Sequence, residues 1–342
     1  VRYWLYLLGH PSNDNEFVRV AINGGPAILR EDAEINGNDF LKRNWEDGQR
    51  GEIYRIDDEW WFDDNWGRDG RNADWSYKNT TEAERYQSEW MKRSMETEYD
   101  YSSFVNWVGM VGRNQFTREE MERTADIDLM AANAVVRGWV DDWDNLTRNR
   151  GKNGYFLRRH DDGKWMLIQW DSDLTFGNSG AAFLGNLAGV RNFFDKPYVR
   201  QRYNYYLGEM IDKYASSRSP RLITWLQYEE AASTSYSVAR TTFLGWNGSR
   251  AAPARNEINS LGANSDPGRF LVTSGNGTSL TTSADTVDLE GTSPHDAYTV
   301  RIVDHPEADW YFEDQNDFVV RGVQLAEGAS NFTLEDLPRV RD

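Results

Sequence analysis

Acidic and amide side chains between residues 140 and 177 have the types and the order that phosphate chemistry needs. Asp144 stands five residues before Asn149. A hairpin-like segment then leads to Asp171 and Asp173, which follow Trp170. One carboxylate can orient an attacking hydroxyl group, while an amide and a second carboxylate can hold Mg²⁺ on phosphates. The order of these residues therefore indicates a phosphoryl-transfer site.

The same segment resembles the signature of a known family. Its matching residues are Tyr155-Phe156-Leu157, Gly163-Lys164-Trp165, Ile168, Trp170-Asp171-Ser172-Asp173 and Thr175-Phe176-Gly177. Such motifs are typical of the CotH kinase family, secreted atypical protein kinases related to spore-coat protein H. Extra residues near Arg150 to Asn153 separate Asp144 from the aromatic pair, and Gln169 stands where the family usually has proline.

The resemblance implies a role for each polar residue of this segment. Asp144 would orient the Ser or Thr hydroxyl of a protein substrate. Asp171, together with Asp173, would hold the Mg²⁺ (or Mn²⁺) of bound ATP. Because of the extra residues, Asn149 and Asn153 are both candidates for the amide ligand of the metal.

Two residues nearer the N-terminus complete the predicted site. Arg55 lies in a segment similar to one in which the family places lysine, and Glu34 lies in another family-like segment. By resemblance, the cation would contact the phosphates of ATP and the glutamate would orient it. Arginine keeps the charge of lysine but presents a planar fork of donors, so this exchange changes the geometry of the contact.

The surrounding elements must bring these residues together. The sequence predicts a helix over residues 2–8 and a hairpin with strands at 17–22 and 27–29. A helical pattern runs over 81–114, and Thr117 begins the next helix with a capping box. An apolar stripe from Ile127 to Trp139 predicts a core helix that ends directly before Asp144. Further helices are predicted at 198–214, 220–239 and 252–261.

The pattern changes after residue 262, which divides the chain into two predicted domains, 1–262 and 263–342. Short β-rich runs separated by turn residues predict a small β-sandwich-like module. These runs lie at 270–272, 286–289, 298–303, 310–312, 318–320 and 331–334. The fold prediction is therefore α+β: a protein-kinase-like (CotH-type) domain followed by a small all-β module. The sequence begins at what resembles the helix after the first N-lobe strands, so we expect this sequence to lack those strands.

Composition excludes several classes of partner. The 342 residues carry a net charge of −17, which disfavours nucleic acid and anionic membranes. No apolar run is long enough for a membrane span, and the absence of cysteine excludes disulfides and cysteine metal sites. Many acids and few lysines are typical of proteins from salty or marine water.

These observations predict an exported bacterial kinase, at the cell surface or outside the cell. It would transfer the ATP γ-phosphate to Ser or Thr of secreted or surface proteins, with Mg²⁺. One alternative is an inactive kinase fold that binds glycan or matrix. Arg55 and the expected lack of N-lobe strands favour this alternative. Another is a polysaccharide hydrolase that uses paired acids such as Asp144 and Asp171.

Overall fold

In the computed structural model the described residues are 1–47, 50–56, 76–87, 89–148, 151–214, 240–260, 270–277, 279–282, 284–295, 297–302, 305, 307–313, 316–324 and 331–333. The helices are α1 (Arg2–Leu7), α2 (Asn38–Asn44), α3 (Glu84–Gln87), α4 (Ser102–Gly112), α5 (Arg118–Thr124), α6 (Ile127–Trp139), α7 (Ala188–Phe194), α8 (Pro197–Glu209), a π-helical turn (Met210–Tyr214), α9 (Arg240–Ser260) and a short 3₁₀ turn (Ser274–Gly277). The strands are β1 (Asn15–Val20), β2 (Ile28–Ala33), β3 (Glu52–Ile56), β4 (Trp90–Lys92), β5 (Gly154–Arg158), β6 (Trp165–Gln169), β7 (Leu271–Val272), β8 (Ser279–Thr281), β9 (Thr286–Thr292), β10 (Asp309–Phe312), β11 (Asp317–Gln324) and β12 (Asn331–Thr333).

A four-stranded antiparallel sheet of order β4-β3-β5-β6 carries the hairpin that the sequence predicted between Asp144 and Asp171. One face packs on Phe40 and Leu41 of α2, and the other face joins the main core under the helices. Because both faces of the sheet are covered, every residue of β6 is buried, and neither face of this strand contacts solvent.

Helix α6 supports this sheet and sets where the loop before β5 begins. Its first turn is capped by Asp126, whose carboxylate accepts from the backbone N–H of Leu129 at 3.0 Å. Its apolar stripe is buried from Met130 to Trp139, as predicted for a core helix, and packs against β6 and α8. At Gly138 a Cβ atom would lie 2.4 Å from the carbonyl oxygen of Phe183, so only glycine permits this close approach.

Other local predictions near the N-terminus agree with the structure, with shifted bounds. The capping box at Thr117 is present, with both reciprocal hydrogen bonds formed. The predicted hairpin is present as β1 and β2. Its first strand begins two residues earlier than predicted, and its second strand is longer than predicted.

Two helix predictions concern the later part of the chain. The helix predicted at 220–239 lies outside the described residues, and the one predicted at 252–261 begins earlier, at Arg240.

The prediction of one helical stretch over 81–114 was wrong in its middle. Trp90 to Lys92 forms an edge strand of the sheet, and α4 begins only at Ser102. Trp90 is fully buried, with its ring 4.7 Å from Phe104 and 5.3 Å from Phe156 between centroids. Burial of this indole and pairing with β3 override the local helical pattern.

Beyond residue 270 the described chain forms a four-stranded antiparallel sheet, β10-β11-β9-β7, and a two-stranded pair, β12-β8. Its apolar cluster includes Leu289, Phe312 and Phe318. The strand predicted at 298–303 was wrong over its described residues, 298–302. There Tyr298 donates its hydroxyl to Asp128 at 3.1 Å and its carbonyl accepts from Arg202, so this segment docks on the helices instead of a sheet.

The mixture of helices and antiparallel sheets makes the chain an α+β protein. Among the helices that the structure describes, none has both the length and the apolar character needed to cross a bilayer.

Candidate active site

The loop after α6 contains three acids that the fold holds in place. Asp141 adopts a positive φ of 52° and pairs with the guanidinium of Arg148 at 3.1 Å. Its other oxygen accepts from the backbone N–H of Asn178 at 2.7 Å. The side chain of Asp141 therefore fastens the loop after α6 to the segment that follows Asp173.

Asp142 forms a buried ion pair with Arg137, with Nε and Oδ2 2.6 Å apart. Arg137 is 1% exposed, and its Nη1 also donates to the carbonyl oxygens of Asn153 at 2.7 Å and Trp170 at 3.0 Å. One guanidinium thus joins the loop after α6, the start of β5 and the end of β6. Asp171 follows directly on the residue that Arg137 fixes.

Burial raises the pKa of Asp142 to about 6, against the opposing attraction of Arg137. The negative charge of Asp144 adds to this rise in the pKa. The shift indicates that negative charge is crowded into a poorly solvated part of the loop.

Asp144 is only 2% exposed, yet its carboxylate is incompletely paired. Its Oδ2 lies 3.7 Å from the ammonium nitrogen of Lys152. Its Oδ1 is buried and has no hydrogen-bond partner among the described residues. A buried carboxylate oxygen without a partner is costly, and a hydroxyl group or a cation would relieve that cost.

Asp171 and Asp173 lie beyond the other end of the hairpin and are exposed to solvent. Asp171 has a positive φ of 47°, which turns the chain sharply after β6. Partial burial raises the pKa of Asp171, and the charges of Asp173 and Asp144 raise it further. These three carboxylates therefore interact, although Asp144 is distant from the other two in sequence.

The amide candidates differ in what the structure shows. Asn149 lies outside the described residues. Asn153 stands directly before β5 with a φ of 56°, and Arg137 bonds its carbonyl together with that of Trp170. Asn153 is therefore placed beside the chain segment that leads to Asp171.

Arg55 and Glu34 lie in different surroundings. Arg55 stands on β3 opposite Tyr155 of β5, and the ring of Tyr155 meets that of Trp170 edge to face at 5.8 Å. The carboxylate of Glu34 pairs with Arg43 at 2.5 Å and accepts from the backbone N–H of Asp14 at 3.0 Å. Glu34 thus orients Arg43 in this structure.

The donor set suits a hard divalent cation. No group of three or more His, Cys, Asp or Glu residues arranged to hold a metal is present in the part of the chain that the structure describes. Mg²⁺ does not need such a cage, since it commonly takes one or two carboxylates, water and substrate phosphates. The like charges of Asp171 and Asp173, and the unpaired oxygen of Asp144, are the features that a cation would neutralise.

Sequence reasoning predicted Arg55 but missed two other cations, Lys152 and Arg137. Lys152 was counted among the few lysines, but nothing in its local pattern signals contact with Asp144. Arg137 interrupts the apolar stripe of a helix that was predicted to be buried. Because arginine is almost never fully buried unless it is paired, its presence there could have indicated a buried ion pair. Its partners, Asp142, Asn153 and Trp170, come from three separate segments.

The family comparison agrees with this geometry. The family model described as CotH kinase protein matches residues 6–218, and the chain belongs to this family. The family indicates a kinase-like function and the use of ATP with a divalent metal. No curated protein matches the chain.

Proposed function

We propose that the chain is an exported phosphotransferase that moves the γ-phosphate of ATP to a Ser or Thr hydroxyl of a secreted or cell-surface protein, with Mg²⁺. The arrangement around Asp144 carries this proposal. One oxygen of this buried carboxylate lies near an ammonium group, and the other is unpaired among the described residues. The negative charge of this carboxylate also contributes to the raised pKa of Asp171. Family membership supports the same reaction class.

Asp144 would act on the acceptor hydroxyl. Its Oδ1 accepts the hydrogen bond of that hydroxyl and orients the oxygen towards the γ-phosphorus. The new O–P bond forms while the bond from the γ-phosphorus to the bridging oxygen breaks. ADP leaves with the electron pair, and the hydroxyl proton passes to Asp144. The ammonium of Lys152, already next to Asp144, stabilises the negative charge of the transferred group.

Asp171 and Asp173, with the amide of Asn149 or Asn153, would hold Mg²⁺ or Mn²⁺. A bound divalent ion would neutralise the negative charge of the phosphates. Arg137 keeps Trp170 and Asn153 in register, so it positions both sides of this site. Arg55 is the proposed cation for the remaining phosphates, and Glu34 would act through Arg43, whose guanidinium it fixes.

Two measurements on the full chain test the proposal. Thermal unfolding is recorded with and without Mg²⁺-ATP, and transfer of labelled γ-phosphate to the chain and to Ser/Thr peptides is followed. We expect a rise in melting temperature and measurable transfer, both lost in Asp171→Asn. Asn is chosen because it tolerates the positive φ at this position.

Asp161→Asn is the matched control, because Asp161 is an exposed acid at the tip of the same hairpin. It should respond to Mg²⁺-ATP like the original chain. Equal behaviour of the original chain and Asp171→Asn, with no stabilisation and no transfer by either, would rule the proposal out.

A further inference from the structure

A cavity lies far from the candidate active site. It measures about 440 Å³ and is bounded by α5, α6 and α8 on one side and by β10 of the C-terminal sheet on the other. Lys164, which lines it, directly precedes β6, whereas Asp171 follows the end of that strand. A strand rises about 3.3 Å per residue, so the two places lie at opposite ends of β6.

The walls of this cavity are held together by side chains of the helices that bond the backbone of the C-terminal part. Arg118 donates to the carbonyl oxygen of Phe312 at 3.1 Å, and the amide nitrogen of Gln201 donates to that of Ala297 at 2.6 Å. Three such bonds, including the one from Arg202 to Tyr298, make the cavity a built feature of the fold.

The charges that line the cavity compensate one another. Arg118 pairs with Glu122 at 2.7 Å, and Arg202 pairs with Asp128 at 3.5 Å. Asp126 pairs with Arg159 at 2.8 Å. Because the lining residues carry three positive and three negative charges, and because the whole chain carries −17, a neutral ligand is favoured over a polyanion.

Two buried polar atoms of the lining residues lack hydrogen bonds within the described structure. Gln201 is 1% exposed, and its Oε1 has no hydrogen-bond partner there. The hydroxyl of Tyr198 is buried and likewise has no hydrogen-bond partner there. An amide oxygen can accept a hydrogen bond, and a phenol can both donate and accept one. Hydroxyl groups of a ligand would satisfy both atoms.

The aromatic residues Trp310 and Phe312 complete the lining. Their rings meet edge to face at 5.9 Å, and the indole of Trp310 is only partly buried. An aromatic wall, unpaired acceptor and hydroxyl groups and a balanced charge together match the apolar faces and hydroxyl rims of a sugar. We propose that this cavity binds a neutral carbohydrate and so attaches the protein to a glycan.

Binding of the full chain to immobilised neutral polysaccharides (cellulose, chitin, β-1,3-glucan, mannan and starch) tests this proposal, with alginate and heparin as anionic probes. At least one neutral polymer should retain the chain. Its soluble oligosaccharide is then titrated by calorimetry. Trp310→Ala should weaken that binding at least tenfold, because the aromatic wall is lost.

Tyr198→Phe is the sharper variant, because it removes only the unpaired hydroxyl. We expect about fivefold weaker binding, corresponding to one lost hydrogen bond, with an unchanged or higher melting temperature. Tyr99→Phe is the matched control, since the hydroxyl of Tyr99 lies on an exposed ring and bonds Gln87 instead. It should bind like the original chain, and so should Asp171→Asn, which separates this test from that of the kinase reaction.

Three outcomes would overturn the proposal: no neutral polymer retains the chain, only alginate or heparin does, or Tyr198→Phe binds the oligosaccharide as tightly as the original chain.

Discussion

The acids before the β5–β6 hairpin differ from those after it. Asp141, Asp142 and Asp144 are buried, and each has a cation within 4 Å. Asp171 and Asp173 are exposed, and no ion pair to either is seen in the described residues. The first group is held by the protein itself, whereas the charges of the second group repel each other.

This difference suggests a division of labour. A buried, paired carboxylate keeps one position, which suits a residue that orients a hydroxyl group. Exposed carboxylates that repel one another gain most from a cation that arrives with the substrate. Asp144 takes part in both groups, because it contacts Lys152 and also perturbs Asp171.

The largest expected effect follows from Asp144→Asn, which removes the charge and keeps the shape. We expect phosphate transfer to fall by roughly 10²–10⁴-fold, because an amide neither accepts the hydroxyl proton nor holds Lys152 as firmly. Initial rates with labelled ATP measure the loss. Asp161→Asn should keep the original rate, and an Asp144→Asn protein within threefold of that rate would show that Asp144 is not the orienting group.

Arg137→Met tests the buried side through stability. Removing this cation leaves Asp142 buried without its ion-pair partner, which costs about 3–5 kcal/mol. Urea unfolding measures the loss. The double variant Arg137→Met/Asp142→Leu should recover much of it, because no unpaired charge remains. If the double variant recovers little of the loss, the missing hydrogen bonds from Arg137 to Asn153 and Trp170 account for more of it than the unpaired charge of Asp142.

The pH dependence of stability tests Asp142 alone. Its pKa is raised to about 6 in the folded chain from an ordinary value near 3.8, so the folded state holds this proton more tightly. The stabilisation is therefore fully present below about pH 4 and is lost as the pH rises through 6. The shift corresponds to about 3 kcal/mol. The difference in unfolding free energy between the original chain and Asp142→Asn should change by most of that amount between pH 4 and 7, and a constant difference would contradict the shifted pKa.

Several elements that hold the site could be predicted from the sequence, because each depends on residues that are close together in the chain. The capping box at Thr117, the stripe of α6 and the hairpin before Asp171 each depend on residues close in the chain. The edge strand at Trp90 was missed because its partners, Phe104 and Phe156, act through tertiary packing. The contacts of Arg137 and Lys152 were missed for the same reason: they join segments whose approach only the fold defines.

The smallest expected effect on stability comes from the exposed acids. Asp171→Asn removes one of two repelling charges at a backbone position that asparagine tolerates, so the metal-free chain should become more stable by less than about 1 kcal/mol. The same variant should lose the rise in melting temperature that Mn²⁺ or Mg²⁺-ATP gives the original chain. A gain in stability without metal, together with a lost response of the melting temperature to metal, distinguishes a cation site from a structural turn. A loss of stability without metal, with an unchanged response to metal, would assign Asp171 to the turn alone.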